Sequence, residues 1–272
     1  VINKDTEALI KDSSTDKKTV VNAGQDIVVA AQSSENISAA AASAAGGGTA
    51  GVAGSGVVYV VTNNTSGYIG DNAQVHAAGS VVASAIDNTT MNLLAGNVAI
   101  GGTAGVGGAA GVSVITKTTD AHIGENASVQ ADGNGAAVQV ANGKFTNDNT
   151  YVPGKNEIAA PETSDPDEDA YKQINIQDLI KPVVAQTQAI NGVGVSAVSI
   201  DTVRAGAIGA SVGGTAGVQG SVGANVITNT TKAYIDQGAK INIATIGEHT
   251  DQSVLVAAGS DFHRLSTAGA FA

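Results

Sequence analysis

The sequence predicts an all-β fold, a parallel β-helix (β-solenoid) carrying one partly helical insertion. Three observations lead there: a motif that returns at fixed intervals, two-residue alternation around each copy, and an apolar content made of small side chains. Gly47-Gly48-Thr49-Ala50-Gly51-Val52 recurs as Gly101-Gly102-Thr103-Ala104-Gly105-Val106 and again as Gly213-Gly214-Thr215-Ala216-Gly217-Val218. The spacings are 54 and 112 residues. Fixed self-similarity of this length is the mark of a stacked repeat architecture. Hydrophobic residues make up 43% of the chain, yet aromatics are only 3% and glycine contributes 35 of the 272 residues. Ala, Val and Ile suit a narrow interior between closely stacked backbones better than a globular core built on large rings.

Each repeat carries further signatures at constant offsets. Fourteen residues after the first glycine come Val61-Thr62, Ile115-Thr116 and Ile227-Thr228. Tyr68-Ile69, His122-Ile123 and Tyr234-Ile235 follow, then Ala73-Gln74-Val75, Ala127-Ser128-Val129 and Ala239-Lys240-Ile241. In 73–77, 127–131 and 239–243 the odd positions are small or β-branched and the even ones mostly polar. That is the period of a strand with one buried face. Glycine-rich runs such as 105–111 are poor helix formers, so helical solenoids are disfavoured. The period of 54 residues is expected to cover two or three coils, since repeat units usually span about 20–45 residues. Thr65, Thr119 and Thr231 are expected at turns, and Ile69, Ile123 and Ile235 in the core.

The elements then read in order. A truncated copy opens the chain, with Val1-Ile2, Thr6 and Ile10 matching Val60-Val61, Thr65 and Ile69. The charged stretch Asp12 to Lys18 adds five residues before Val21 takes the place of Val75, as an external loop would. Coils are expected over 1–141 and 193–272. Between them, 142–192 lacks the repeat signatures and holds all four prolines. Asp165-Pro166-Asp167-Glu168-Asp169 resembles a helix start, with an N-cap, a proline at the first position and acids at the positive end of the dipole. Ile176, Leu179, Ile180, Val183 and Val184 give an apolar stripe, so a short helix near 166–181 is expected to lie against the solenoid flank.

Composition excludes several functions. The net charge is −11 and the only arginines are Arg204 and Arg264, which leaves no basic face for nucleic acid. Cysteine is absent, which removes disulfides and thiolate metal sites. No apolar run approaches the roughly 20 residues of a membrane span. The chain opens inside a repeat without a signal peptide, so targeting signals are expected elsewhere in a longer parent, with the same solenoid continuing at both ends. The glycine motif lacks the Gly-Lys-Ser/Thr of a phosphate loop and the aspartate of a calcium-binding β-roll. No catalytic or cofactor-binding residues are assigned, no cofactor is expected, and the chain is not expected to be an enzyme. Asp165, Asp167, Glu168 and Asp169 are the candidate metal ligands, although helix capping already explains them. His76 and His122 fall on outward columns with no neighbouring acid to support a catalytic or metal role. Leu9, Tyr68, His122 and Tyr234 share one outward column, which together with Tyr171 forms the candidate partner-contact surface.

The combined grammar is Gly-Gly-Thr-Ala-Gly-Val, then Val-Ile-Thr-x-x-Thr, Ala-x-Ile-Gly and Ala-x-Val. It resembles the repeat regions of large leukotoxin-type filamentous adhesins, haemagglutinin-like passenger proteins of Gram-negative bacteria. The resemblance covers nearly all of the chain outside 142–192. It implies a right-handed parallel β-helix, type V-like secretion, and release or display on the exterior of the outer membrane. It further implies a stalk or adhesive segment whose partner is a host-cell or bacterial surface receptor. A leukotoxin-like passenger acting on host cells and a carbohydrate-active β-helix enzyme are the alternatives. No residues here match a defined toxic motif.

Overall fold

The computed structural model describes residues 1–14, 17–146, 183–243 and 251–272 of the chain. The described residues are all-β and contain no helix. Three four-stranded parallel sheets are traversed in the same order, again and again. Sheet A holds β1 (Ile2–Ile10), β4 (Ala50–Ile69), β7 (Ala104–Ile123) and β12 (Ala216–Ile235). Sheet B holds the short strands β2 (Val20–Ala23), β5 (Gln74–Ala77), β8 (Ser128–Ala131) and β13 (Lys240–Ile241). Sheet C holds β3 (Ile27–Gly47), β6 (Val81–Gly101), β11 (Gly192–Gly213) and β14 (Ser253–Phe271). One passage through A, B and C is one circuit. A 54-residue period is therefore a single circuit with two very long arms, not two or three coils. Strands of 20 to 22 residues span about 65–75 Å.

The register places each motif on its own copy. Ala50 pairs with Ala104 and Ala104 with Ala216. Ile2, Thr6 and Ile10 pair with Val61, Thr65 and Ile69, and Val21 with Val75. The parallel arrangement stacks like on like, because every residue sits beside its equivalent one circuit away. Ile69 and Ile123 are fully buried in the main apolar cluster, with Val75, Val81, Val129, Val193 and Val195. Thr65 and Thr119 lie in mid-strand, buried and facing inward, rather than at turns. They share the phase of the isoleucines four residues on, so strand alternation and not turn chemistry decides their place.

Two turns fix the circuit. At the corner after sheet A, Asn72 and Asn126 adopt φ near +56° and +55°, and Gly238 takes the equivalent place at +74°. Asparagine and glycine are the residues that tolerate this left-handed conformation. At the far tip the Gly-Gly-Thr turn folds sheet C back onto sheet A. There Gly102 N–H donates to the Gly47 carbonyl and Thr103 N–H to that of Thr49, so successive tips are bonded to each other. Just inside the tip, a side chain on Gly51 would run into the Ile100 backbone, and one on Gly105 into the Val212 carbonyl. The two long sheets touch backbone to backbone here, which only glycine permits.

The insertion leaves the scaffold through an antiparallel pair, β9 (Val138–Phe145) with β10 (Ala185–Ile190). Residues 147–182 lie outside the described residues, and the expected helix at 166–181 falls among them. Val183 and Val184, the last two residues of the expected apolar stripe, lead into β10. The flank is covered by strands: Val140 and Ile190 pack on Val82, with Val138 and Leu255 at the margin. β9 crosses β14 at Gly143 (φ near +75°) and Gly259, where a side chain on either would meet the other strand's backbone. Beyond the pair, β11 rejoins β6 directly, Val193 on Val81.

Candidate functional site

Three places on this scaffold gather chemistry. The outward column Leu9, Tyr68, His122 and Tyr234 runs up sheet A in exact register. Its rings stack face to face, Tyr68 on His122 at 4.7 Å between centroids and His122 on Tyr234 at 5.0 Å, each pair within 6° of parallel. Axial stacking at nearly the strand spacing occupies the ring faces with one another and leaves edges and polar tips for a partner. His122 Nδ1 lies 2.5 Å from Asp120 Oδ1 on the neighbouring outward column. The Tyr68 hydroxyl is held above its ordinary pKa, first by partial burial and then by Glu7 and Asp12. That of Tyr234 is raised by burial and by Asp120, Asp236 and Asp71. Both tips therefore stay neutral donors well above neutral pH.

The sequence expectation that the histidines lack neighbouring acids is corrected. His76 Nε2 reaches Asp132 Oδ2 one level up at 2.9 Å, and His263 Nδ1 reaches Asp261 Oδ2 at 2.8 Å. His122 with Asp120 and His263 with Asp261 are two apart on a strand, so they share a face by the period of two. Tyr171 and the acidic set Asp165, Asp167, Glu168 and Asp169 lie outside the described residues. Among the described residues, no group of three His, Asp or Glu side chains is placed to hold a metal.

The second place is a cleft where the β9–β10 pair overhangs the outer face of sheet C. Val28, Ile86, Thr90, Val140, Thr187 and Thr202 line it. It sits at the root of the insertion, with a mixed threonine and valine lining and no charged side chain.

The third place was not foreseen: a buried polar seam between sheets A and C. Lys4, Asn63, Lys117 and Asn229 form one inward column of sheet A. Facing them from sheet C are Glu35, Asp87 and Asp201, one per circuit. The Lys117 side chain is completely buried, its Nζ 2.6 Å from Asp87 Oδ1 and 2.5 Å from Asp201 Oδ1. Asn63 Nδ2 donates to Asp87 Oδ2 at 2.5 Å and Glu35 Oε2 at 2.9 Å, while Lys4 Nζ reaches Glu35 Oε1 at 2.6 Å. Asn229 Nδ2 donates to Asp201 Oδ2 at 2.6 Å. Burial raises the Asp201 carboxyl above its ordinary value, more than Lys117 lowers it. Burial also pushes Glu35 upward, but donors from Lys4, Ser33 and Thr89 outweigh it and hold Glu35 below the ordinary range. The signal was present in the sequence: Lys117 lies midway between inward Ile115 and Thr119, where alternation admits only a partnered charge.

No family model, curated protein or solved structure matches the chain. No helix among the described residues is long and apolar enough to cross a membrane.

Proposed function

We propose that the chain is a stretch of right-handed parallel β-helix serving as a stiff stalk in a secreted or surface-displayed bacterial filament of the leukotoxin-type adhesin kind. The observation that carries this reading is the unbroken register. Three full levels of sheet A and four of sheet C repeat the same columns over strands of about 20 residues, and the nine-residue β1 adds a partial fourth level to sheet A. Inward columns are packed or, in the seam, hydrogen-bonded from level to level, which resists shear between circuits. The outermost strands β1, β3, β12 and β14 each have one neighbour, so a further circuit at either end would find a ready edge.

On such a stalk, contacts with a receptor on a host cell or another bacterium fall to the insertion around 142–192, with the cleft at its root, and to the edges of the Tyr68–His122–Tyr234 column. The titratable side chains buried inside are taken up by the seam, which favours a scaffold over a hydrolytic enzyme.

The test is binding of the labelled chain to epithelial cells and to bacteria, with and without residues 142–192. Binding that is lost on deletion, at unchanged far-UV circular dichroism, supports an adhesive stalk. Lysis of leukocytes by the purified chain would replace this reading with the toxin alternative, and release of reducing sugar from glycans would replace it with an enzyme.

A further inference from the structure

The glycines of sheet A fall into two kinds. Gly51, Gly105 and Gly217 face inward, against backbone of the opposite sheet. Gly54, Gly108 and Gly220 form another column, one per level, and face outward. None of these three has a positive φ. A side chain on Gly108 or Gly220 would meet nothing within 4 Å, and one on Gly54 only the Gly108 carbonyl at 3.8 Å. Glycine inside a strand is destabilising relative to residues with a side chain, and it often marks close approach by another backbone or a ligand. Nothing within the fold requires glycine at these three places.

The column is the floor of a groove. On its tip side stands a ridge of Val52, Val106 and Val218, which are 70%, 43% and 59% exposed. Beyond the floor lie Gly56, Ala110 and Val222, then Val58, Val112 and Ala224. The six outward columns from Ala50 to Val60, with their partners at 104–114 and 216–226, hold only Ala, Val and Gly, so this part of the face is apolar and uncharged. Ridge and floor are adjacent columns, about 7 Å apart, and both repeat about every 4.8 Å along the stack.

We propose that this groove is a docking surface for a second copy of the chain, the valine ridge of each copy seated on the glycine floor of the other. A two-fold axis parallel to the stack, lying between the two columns, brings each ridge over the facing floor and keeps both stacks pointing the same way. The contact is isologous. Its axial repeat is met at every level only by an object with the same 4.8 Å spacing, which a second copy has. Six outward columns over three levels cover about 600 Å² per partner from strand and residue spacings, below the roughly 800 Å² of a standard stable interface. Each further circuit adds about 200 Å² on the same spacings. The pairing is therefore weak for this chain and strengthens in proportion to stalk length. It concerns lateral pairing of stalks and stands or falls apart from any receptor contact.

Sedimentation velocity over a concentration series tests it with two variants of the full chain. G54V/G108V/G220V fills the floor, and V52S/V106S/V218S removes the ridge. Wild type is expected to form a concentration-dependent dimer, and each variant to weaken it at least about tenfold, about 1.4 kcal/mol. The floor variant is expected to melt no lower than wild type, because its side chains enter open space. A wild type that stays monomeric throughout overturns the proposal. So do dimers that persist in both variants, since those would form through open sheet ends, and so does a lowered melting temperature in the floor variant. Flotation of monomeric wild type with phosphatidylcholine vesicles, lost in the floor variant, would also overturn it by making an acyl chain the occupant.

Discussion

Removing the Lys117 amine while keeping its volume, in K117M, isolates the seam's contribution. The amine is fully buried between two carboxylates that are themselves 0% and 1% exposed. Deleting it leaves Asp87 and Asp201 facing one another in the interior with no counter-charge. Breaking one buried ion pair from one side destabilises by about 3–5 kcal/mol. Here two acids lose the same partner, so about 5 kcal/mol is expected near neutral pH. At about 2–4 °C per kcal/mol for a chain of this size, the melting temperature falls by about 10–20 °C. The pH dependence separates this cause from simple loss of packing. The Asp201 carboxyl is already raised by burial, and K117M removes the lysine that lowers it. Its ionised form opposes folding, so the penalty is full above the raised value and disappears as pH falls toward the ordinary carboxylate range. Thermal unfolding followed by far-UV circular dichroism at neutral pH and near pH 4 reads both effects. K117M/D87N/D201N, with no charge left in this part of the seam, should recover much of the loss. A K117M variant within about 1 kcal/mol of wild type, or a deficit that ignores pH, would refute the reasoning, because either means that water or rearrangement relieves the two acids.

Glu35 titrates in the opposite sense. Its folded pKa lies below the ordinary range, so its contribution is present above that range and is lost as pH falls through the depressed value. The stability difference between wild type and E35Q should accordingly be largest near neutral pH and shrink on acidification, as read by urea unfolding at a series of pH values. The inward and outward glycines also make opposite predictions three residues apart. G105A forces a methyl into the Val212 carbonyl and should lower stability by about 1–3 kcal/mol, the usual effect of overpacking. G108A enters open space and should leave the melting temperature unchanged or slightly raised.

Columns were legible in the sequence because a parallel stack places each residue beside its own repeat. Matching Ile2, Thr6 and Ile10 to Val61, Thr65 and Ile69 is already a statement of pairing. Features that depend on the opposite sheet were not legible. Whether one period holds one circuit or several turns on strand length, which glycine-rich runs such as 105–111 do not reveal until the two arms are seen to meet backbone to backbone. The placement of Thr65 and Thr119 failed for the same reason. A threonine four residues before a core isoleucine shares its face only if the strand runs through both. The seam needed a further step, since Lys117 meets Asp87 and Asp201 across the interior, and no repeat offset relates those positions. For Tyr171 and the acids at 165–169, the structure adds nothing to the sequence, because they lie outside the described residues.

The seam and the glycine columns together suggest why so plain a composition specifies one arrangement. The inward faces of sheets A and C are mostly Ala, Val, Ser and Gly, whose burial changes little if one sheet slides by two residues along the other. Sliding by two would, however, part Lys117 from both of its acids and Asn63 from Glu35 and Asp87, leaving buried charges without partners. Charge thus fixes the lateral register, while apolar columns such as Ile69 over Ile123 fix the axial one. The spacing Gly-x-x-Gly, as in Gly51 to Gly54 and Gly105 to Gly108, then sends one glycine inward and one outward because three is odd in a period of two. The same short motif closes the two sheets on the inside and opens a groove on the outside. Selection on either face alone would preserve only one of the two glycines, so their recurrence at all three full levels is what ties the scaffold to its outer surface.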